Sequence, residues 1–326
     1  MQRLILGNKD ISTSLKMDGK YIDVAWPIYT SSIEIEYLVV GGGAGGGVGT
    51  QSPPYVGGGG AAGAINTGSF VLQTVDTAPD PFTVKVVAGL GGQGAGSGPG
   101  KSGQDGGYSF VGFNLFQALG AAGSGEGGKT SEQTVTPSGG ASGLGNAGPL
   151  TGSFESFREG GFNDFYNNAA GGGAGSSQIG QDGTENGGND AVGGNGGQGV
   201  NVNDWYWNSF LDVVGIIAGG GGASAQTGVS QAAGVGTAGG GDGAIGSNDG
   251  SDATKFGSGG GGAYLGNGGN GADGLVVLRY QNRFPINNSG DEVFQVGDYW
   301  YHTITTGSLS NDGTVFERPE KILIDV

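Results

Sequence analysis

Cysteine is absent and histidine occurs once, at His302, in a chain of 326 residues. Neither a disulfide framework, a thiolate metal site nor a Cys–His nucleophile pair can be built from such a set. A Ser–His–Asp arrangement would have to use His302, which sits in the strand-like run Tyr299-Trp300-Tyr301-His302-Thr303-Ile304. No metal or cofactor site is expected. Basic residues are also scarce: 13 Lys and Arg stand against 29 Asp and Glu, a formal net charge of −16. Binding to a phosphate backbone needs clustered cations, and no Lys/Arg-rich run exists, so no nucleic-acid partner is expected. Long apolar runs are missing as well. Leu4-Ile5-Leu6 is followed by Gly7-Asn8-Lys9-Asp10, whereas a secretory signal needs roughly 7–15 apolar residues and a membrane helix about 20. Neither is expected here.

Glycine is what the chain has in excess: 80 residues, about a quarter of the total, against a usual level of roughly 7%. Collagen would require a strict Gly-X-Y period and abundant proline, and the chain has 10 Pro with irregular glycine clusters. Disordered chains are poor in aromatic and β-branched residues, whereas 14 Phe, 11 Tyr and 4 Trp occur here, many inside alternating runs. The composition describes an ordered protein with an unusual core. The glycines are zoned: Gly7 and Gly19 lie before residue 41, Gly290, Gly297, Gly307 and Gly313 lie after 274, and the other 74 fall between Gly41 and Gly274. Three regions follow, an attachment segment over 1–32, a glycine-rich body over 33–280 and a C-terminal β segment over 281–326.

Strands enter and leave the body at legible places. Ile33-Glu34-Ile35-Glu36-Tyr37-Leu38-Val39-Val40 begins with apolar–polar alternation and becomes wholly apolar before the first glycine run. That pattern predicts a strand passing from a sheet edge into a core. Phe82-Thr83-Val84-Lys85-Val86-Val87-Ala88, Val213-Val214-Gly215-Ile216-Ile217-Ala218 and Leu275-Val276-Val277-Leu278-Arg279-Tyr280 read likewise as strands. Between them, glycine costs roughly 0.5–1 kcal/mol per residue relative to alanine in either a sheet or an α-helix. The polyproline II backbone suits these runs, with three residues per turn and no internal hydrogen bonds. Side-chain-free helices of this kind can approach closely and satisfy one another's N–H and C=O groups. The expected fold class is mostly β, a β-sandwich-like layer with a bundle of polyglycine II helices and almost no α-helix.

Several motifs imitate chemistry. Gly41, Gly43 and Gly46 satisfy G-x-G-x-x-G after a strand, and Ala95-Gly96-Ser97-Gly98-Pro99-Gly100-Lys101-Ser102 approximates a P-loop. Both motifs require a helix directly afterwards to hold phosphate. Pro53-Pro54 and Gln104-Asp105-Gly106-Gly107 stand in its place. Gly268-Gly269-Asn270-Gly271-Ala272-Asp273-Gly274-Leu275-Val276 matches the calcium nonapeptide once, but a calcium roll shares each ion between tandem copies; a turn out of the bundle is the plainer expectation. Asp204, Asp212, Asp242, Asp249 and Asp252 read as solvated loop carboxylates.

The run Ile35-Glu36-Tyr37-Leu38-Val39-Val40-Gly41-Gly42-Gly43-Ala44-Gly45-Gly46 resembles the opening of the glycine-rich domain of bacteriophage tail-fibre and adhesin proteins. Phe82 to Gly89, Gly259-Gly260-Gly261-Gly262-Ala263-Tyr264 and Asn270 to Tyr280 fit the same pattern, so the resemblance covers roughly residues 33–280. It is distantly similar to the glycine-rich extracellular region of anaplastic lymphoma kinase. The resemblance implies polyglycine II helices hung from a β-sandwich, and a place in the virion, assembled in the host cytoplasm and extracellular after release. It implies partners among other tail proteins, held through the N- or C-terminal segment, a host-surface glycan or outer-membrane protein, and a possible homotrimer. In the phage members a segment like 297–308 precedes the glycine body; here it follows. It therefore completes the sandwich, forms a separate β unit or pairs with a neighbouring subunit.

On a rigid scaffold, recognition falls to the connecting segments. Phe154, Phe157, Phe162, Phe165 and Tyr166 form one aromatic insertion, Trp205, Tyr206 and Trp207 a second, and Tyr55 stands in a short third. Rings interleaved with Asn and Asp suit glycan faces and protein hot spots, and for the Trp205 group core packing is the first reading, because a buried strand begins nearby at Val213. The expected function is non-catalytic host attachment as a tail-fibre or adhesin component. The alternatives are a virion-borne glycan-degrading enzyme using loop carboxylates and a purely structural collar or capsid appendage. An ice-binding face would need a regular Ala/Thr surface, which the aromatic insertions interrupt.

Overall fold

The computed structural model describes residues 3–6, 9–12, 14–17, 20–23, 32–51, 54–73, 84–98, 100–112, 118–122, 128, 169–185, 191–202, 205, 215–226, 231–281, 290–305 and 314–316. Among them there is no helix of the α type, and the strands are antiparallel throughout. The mostly-β class expected from the sequence is the one observed. Strands β1 (Arg3–Leu6) and β2 (Lys9–Ser12) pair as a hairpin, as do β3 (Ser14–Met17) and β4 (Lys20–Asp23). Then follow β5 (Ser32–Val40), β6 (Thr50–Gln51), β7 (Pro54–Tyr55), β8 (Ile65–Gln73), β9 (Val84–Val87), β10 (Ser109–Gly112) and β11 (Ala118–Ala122). The chain continues through β12 (Thr184–Glu185), β13 (Ala191–Val192), β14 (Val200–Asn201), β15 (Ile216–Ile217), β16 (Leu275–Gln281), β17 (Glu292–Val296), β18 (Tyr299–Thr305) and β19 (Thr314–Phe316).

Two sheets form the sandwich, ordered β17-β18-β16-β5-β8 and β11-β10-β9-β19. Because strand side chains alternate, Ile35, Tyr37 and Val39 of β5, Val276, Leu278 and Tyr280 of β16 and Ile304 of β18 turn one way. They meet Val86 of β9 and Val111 of β10 in the core between the sheets. The opposite set, Leu38, Val40, Leu275, Val277 and Tyr301, is covered by Val202, Ile217 and Ala218 beside the short β14–β15 pair. Strands β5 and β16 are thus buried on both faces where they adjoin the glycine body, which explains their wholly apolar ends. β5 is paired on one side only at its start, where Ser32–Glu34 meet β8, and on both sides from Ile35 onward. It lies between β16 and β8, and its polar positions are paired: Glu34 accepts a 2.7 Å bond from Ser69 Oγ, and Glu36 holds Arg279. Of the three placements open to the segment after residue 280, the strands take the first. β17 and β18 extend the larger sheet beside β16, and β19 pairs with β9.

The glycine runs leave the sandwich as extensions of its strands and pack as polyglycine II helices. The threefold period is written in the hydrogen bonds of residues 41–49. Gly41, Ala44 and Gly47 donate to Ala64, Ala61 and Gly58; Gly42, Gly45 and Val48 donate to Gly107, Gln104 and Lys101; Gly43 and Gly46 donate to Ala272 and Gly269. Each third residue meets the same neighbour, three residues further back along it. In the other direction Gly92 and Ala95 donate to the carbonyls of Gly43 and Gly46, and Gly260 and Ala263 to those of Ala44 and Gly47. Residues 218–224 repeat the scheme, with Gly220 and Ala223 donating to Gly197 and Gly194 and Gly221 and Ser224 to Gly60 and Gly57. None of the glycines in these two runs has a positive φ, as the left-handed polyproline II backbone requires. Each bond is worth about 0.5–1.5 kcal/mol net. The number of such bonds, more than side-chain burial, holds the bundle together.

Candidate functional site

Direction along the bundle decides what meets at each end. Residues 41–49, 89–97, 218–225, 240–246 and 257–263 run away from the sandwich, while 57–64, 101–107, 169–176, 191–199, 231–237, 249–254 and 266–274 return to it. Turns alternate accordingly between a distal end and a sandwich end. At the distal end lies the hairpin β6–β7, which carries half-buried Tyr55. The chain leaves for residues 129–168 at Gly128, which packs beside Gly47 and Gly58, and re-enters at Ala169, which bridges to Ala225. Exit and re-entry are therefore both distal. Phe154, Phe157, Phe162, Phe165 and Tyr166 themselves lie outside the described residues, as do Tyr206 and Trp207.

Trp205 belongs to the other end. It packs on the outer face of the larger sheet with Phe256, Phe294, Val296 and Tyr299 around Tyr301 and Val277. The Arg279 guanidinium lies over its ring at 4.3 Å from the centroid and over that of Tyr299 at 5.4 Å. Arg279 Nε donates to Glu36 Oε2 at 2.8 Å and Nη2 to the same oxygen at 2.5 Å. Burial works to lower the Arg279 pKa, but the Glu36 hydrogen bond and charge outweigh it and hold the pKa above the usual arginine value. Burial raises the pKa of the neighbouring Tyr301 phenol, and Arg279 acts in the opposite direction. Trp205 is half-buried and packs against the sandwich. Arg279→Met, which keeps the stem but removes the charge, is expected to leave the sheet intact and loosen Trp205. Loss of a partly buried cation–π pair of about 1–2 kcal/mol would appear as a red shift in tryptophan emission and faster acrylamide quenching.

The outer helices of the bundle are joined by side chains placed every third residue. Asp273 Oδ1 accepts from Gly91 N at 2.7 Å, Asn270 Oδ1 from Gly94 N at 2.9 Å and Asn267 Oδ1 from Ser97 N at 2.7 Å. Across the next groove, Asp249 accepts from Asn267 N and Asp252 from Asn270 N, each at 2.6 Å. Asp242 accepts from Gly236 N at 2.8 Å. The carboxylates of Asp242, Asp249 and Asp252 are exposed, as expected of solvated acids, and each also anchors a neighbouring backbone. Asp204 and Asp212 lie outside the described residues. The calcium-like nonapeptide is not a turn: residues 267–274 return along the bundle into β16, and Asn270 and Asp273 pin residues 89–97. The signal for these pins was present in the spacing Asn267-x-x-Asn270-x-x-Asp273 and Asp249-x-x-Asp252, which matches the threefold helix.

A family model described as a glycine-rich domain matches residues 17–281. The chain belongs to that family. No curated relative matches it. The glycine-rich domain match ends at the last residue of β16, so β17 and β18 lie beyond it while completing the domain's larger sheet. Within this domain, Gly41, Gly43 and Gly46 are buried among neighbouring helices, where no cofactor could reach their N–H groups. The P-loop imitation is a distal turn in which Gly98 and Gly100 take positive φ of 139° and 60°, and the backbone carbonyl of exposed Lys101 accepts from Val48 N at 2.8 Å.

Proposed function

We propose that this glycine-rich domain is a virion structural protein, a tail-fibre or adhesin component that presents its distal end to the host surface. The observation that supports the reading most is the register of the bundle. Among the described residues it sets each turn from an outgoing helix into a returning one at the distal end, and there it places Tyr55 and both anchor points of the aromatic insertion 129–168. A cross-bonded backbone lattice costs little further entropy on binding, because its backbone is already fixed, and aromatic residues on such a support make effective contacts. The sandwich end, with the termini of the large sheet, is the part that joins other tail proteins. The partner at the distal end is a bacterial surface glycan or an outer-membrane protein.

The test is binding of the purified chain to a panel of bacterial strains and an array of bacterial surface polysaccharides, alongside a variant with residues 154–166 replaced by a Gly/Ser linker. Retention of the parent, with loss of about tenfold or more in the linker variant at unchanged melting temperature, is the expected result; it corresponds to about 1.4 kcal/mol or more of contact energy. Equal binding by both proteins moves the site elsewhere. Absence of binding by both proteins replaces attachment with a building-block role inside the particle.

A further inference from the structure

Asn-Gly pairs are the most labile peptide sequence in an unfolded chain. The nitrogen of the glycine attacks the asparagine Cγ, a C–N bond forms, ammonia leaves, and the resulting succinimide takes up water to give aspartate or isoaspartate. No oxidant or other reagent is needed. Three described Asn-Gly pairs occur on the surface of the bundle: Asn195-Gly196, Asn267-Gly268 and Asn270-Gly271. We propose that these three asparagines are latent self-modification sites, held silent by the bundle and opened only when a helix edge detaches.

The geometry imposes the same two constraints at each pair. The attacking nitrogen is already engaged: Gly196 N donates to Val235 O at 3.0 Å, Gly268 N to Ala95 O at 2.9 Å and Gly271 N to Gly92 O at 2.9 Å. The side chain is held away from it. Asn195 Oδ1 accepts from Val235 N at 2.7 Å, and its Nδ2 donates to Gln181 Oε1 at 2.8 Å. Asn267 Oδ1 accepts from Ser97 N at 2.7 Å and its Nδ2 donates to Asp249 Oδ1 at 3.2 Å. Asn270 Oδ1 accepts from Gly94 N at 2.9 Å. The five-membered ring also needs a ψ far from the extended value that a polyproline II helix fixes at about +145°. Closing the ring therefore requires the glycine N–H bond, the side-chain bond and the local backbone to yield together.

Modification, once begun, would not reverse. Isoaspartate inserts an extra backbone atom and destroys the three-residue register on which the pins depend. Aspartate at position 267 would place a second carboxylate beside Asp249, where the amide now donates. Detachment of one edge thus becomes permanent, and the surface helices age only where they open.

Peptide mapping by mass spectrometry in ¹⁸O-labelled water, on the intact chain in mildly alkaline buffer, reads each site separately. The expected result is a modification rate at Asn195, Asn267 and Asn270 at least about tenfold slower in the folded chain than in the same chain unfolded by guanidinium, because local opening must precede the reaction. In the folded variant Asp249→Ala, which removes one partner of Asn267, the rate at Asn267 is expected to rise while that at Asn195 stays unchanged. Folded and unfolded rates within twofold of each other overturn the proposal, as does an Asp249→Ala rate at Asn267 equal to the parent's. Should that variant fail to fold, the comparison of folded with unfolded parent decides alone.

Discussion

Replacing Gly45 by alanine is expected to lower the melting temperature by about 10 °C, an effect usually reserved for large core deletions. A methyl group at that position would overlap the carbonyl of Gln93 and the nitrogen of Gly94. Overpacking typically costs about 1–3 kcal/mol when side chains can shift aside. Here the obstacle is backbone that is itself hydrogen-bonded, so the strain spreads through the neighbouring helices. The informative control is Gly96→Ala. Its added methyl meets nothing within 4 Å, and its φ is not positive, so the substitution restricts only the unfolded chain and is expected to stabilise by about 0.4–1 kcal/mol. Gly297 separates space from conformation: its surroundings are equally open, but its φ is 59°, and alanine there is expected to cost about 1 kcal/mol through backbone strain alone. Thermal melts of the three variants check the order Gly96→Ala above parent, parent above Gly297→Ala, and Gly45→Ala lowest. Equal effects at Gly45 and Gly96 would mean that glycine serves the chain's flexibility and not its close packing.

That contrast also marks how far the sequence could be read. The strands adjoining glycine runs were legible because Tyr37-Leu38-Val39-Val40 and Leu275-Val276-Val277-Leu278 are continuous apolar runs, which only strands covered on both faces can bury. The polyglycine II state followed by elimination, since glycine disfavours the alternatives. Partner choice did not follow. That residues 41–49 pair with 57–64, 101–107 and 267–272 at once is set by long-range register, and glycine carries no side chain to announce it. Asn270 and Asp273, read in the sequence as part of a turn out of the bundle, instead pin a neighbouring helix together with Asn267; the threefold period accounts for all three with backbone donors alone. Trp205 stood between core and surface in the sequence, and its position was decided by Arg279, far away in the chain and paired with Glu36. A cation–π contact across such a separation has no local signal.

Leu278→Ala is expected to destabilise the chain by about 2–5 kcal/mol and to do so through the same transition that Gly45→Ala affects. Leu278 is fully buried, opposite Tyr37 on one neighbouring strand and His302 on the other, and it faces the second sheet with Val276 and Ile304. The sandwich it belongs to is continuous with the bundle: Val40 leads directly into Gly41, and Gly274 into Leu275. Ser109 ties the junction, its Oγ donating to Val40 O at 2.6 Å and accepting from Gly89 N at 2.8 Å. A lattice of short helices has only small side-chain clusters, such as Val56, Ala170, Ala223 and Tyr264, to hold its register once the strands release their ends, and the sandwich loses the cover over Leu38, Val40 and Val277 when residues 217–218 detach. Each half therefore depends on the other, and calorimetry is expected to give one cooperative transition in the parent, in each variant and in the double variant, with the two destabilisations adding to within about 0.5 kcal/mol. Were Gly45→Ala to split the melt, leaving an upper transition at the parent's temperature that Leu278→Ala alone displaces, the bundle would be an appendage that the sandwich carries without needing it.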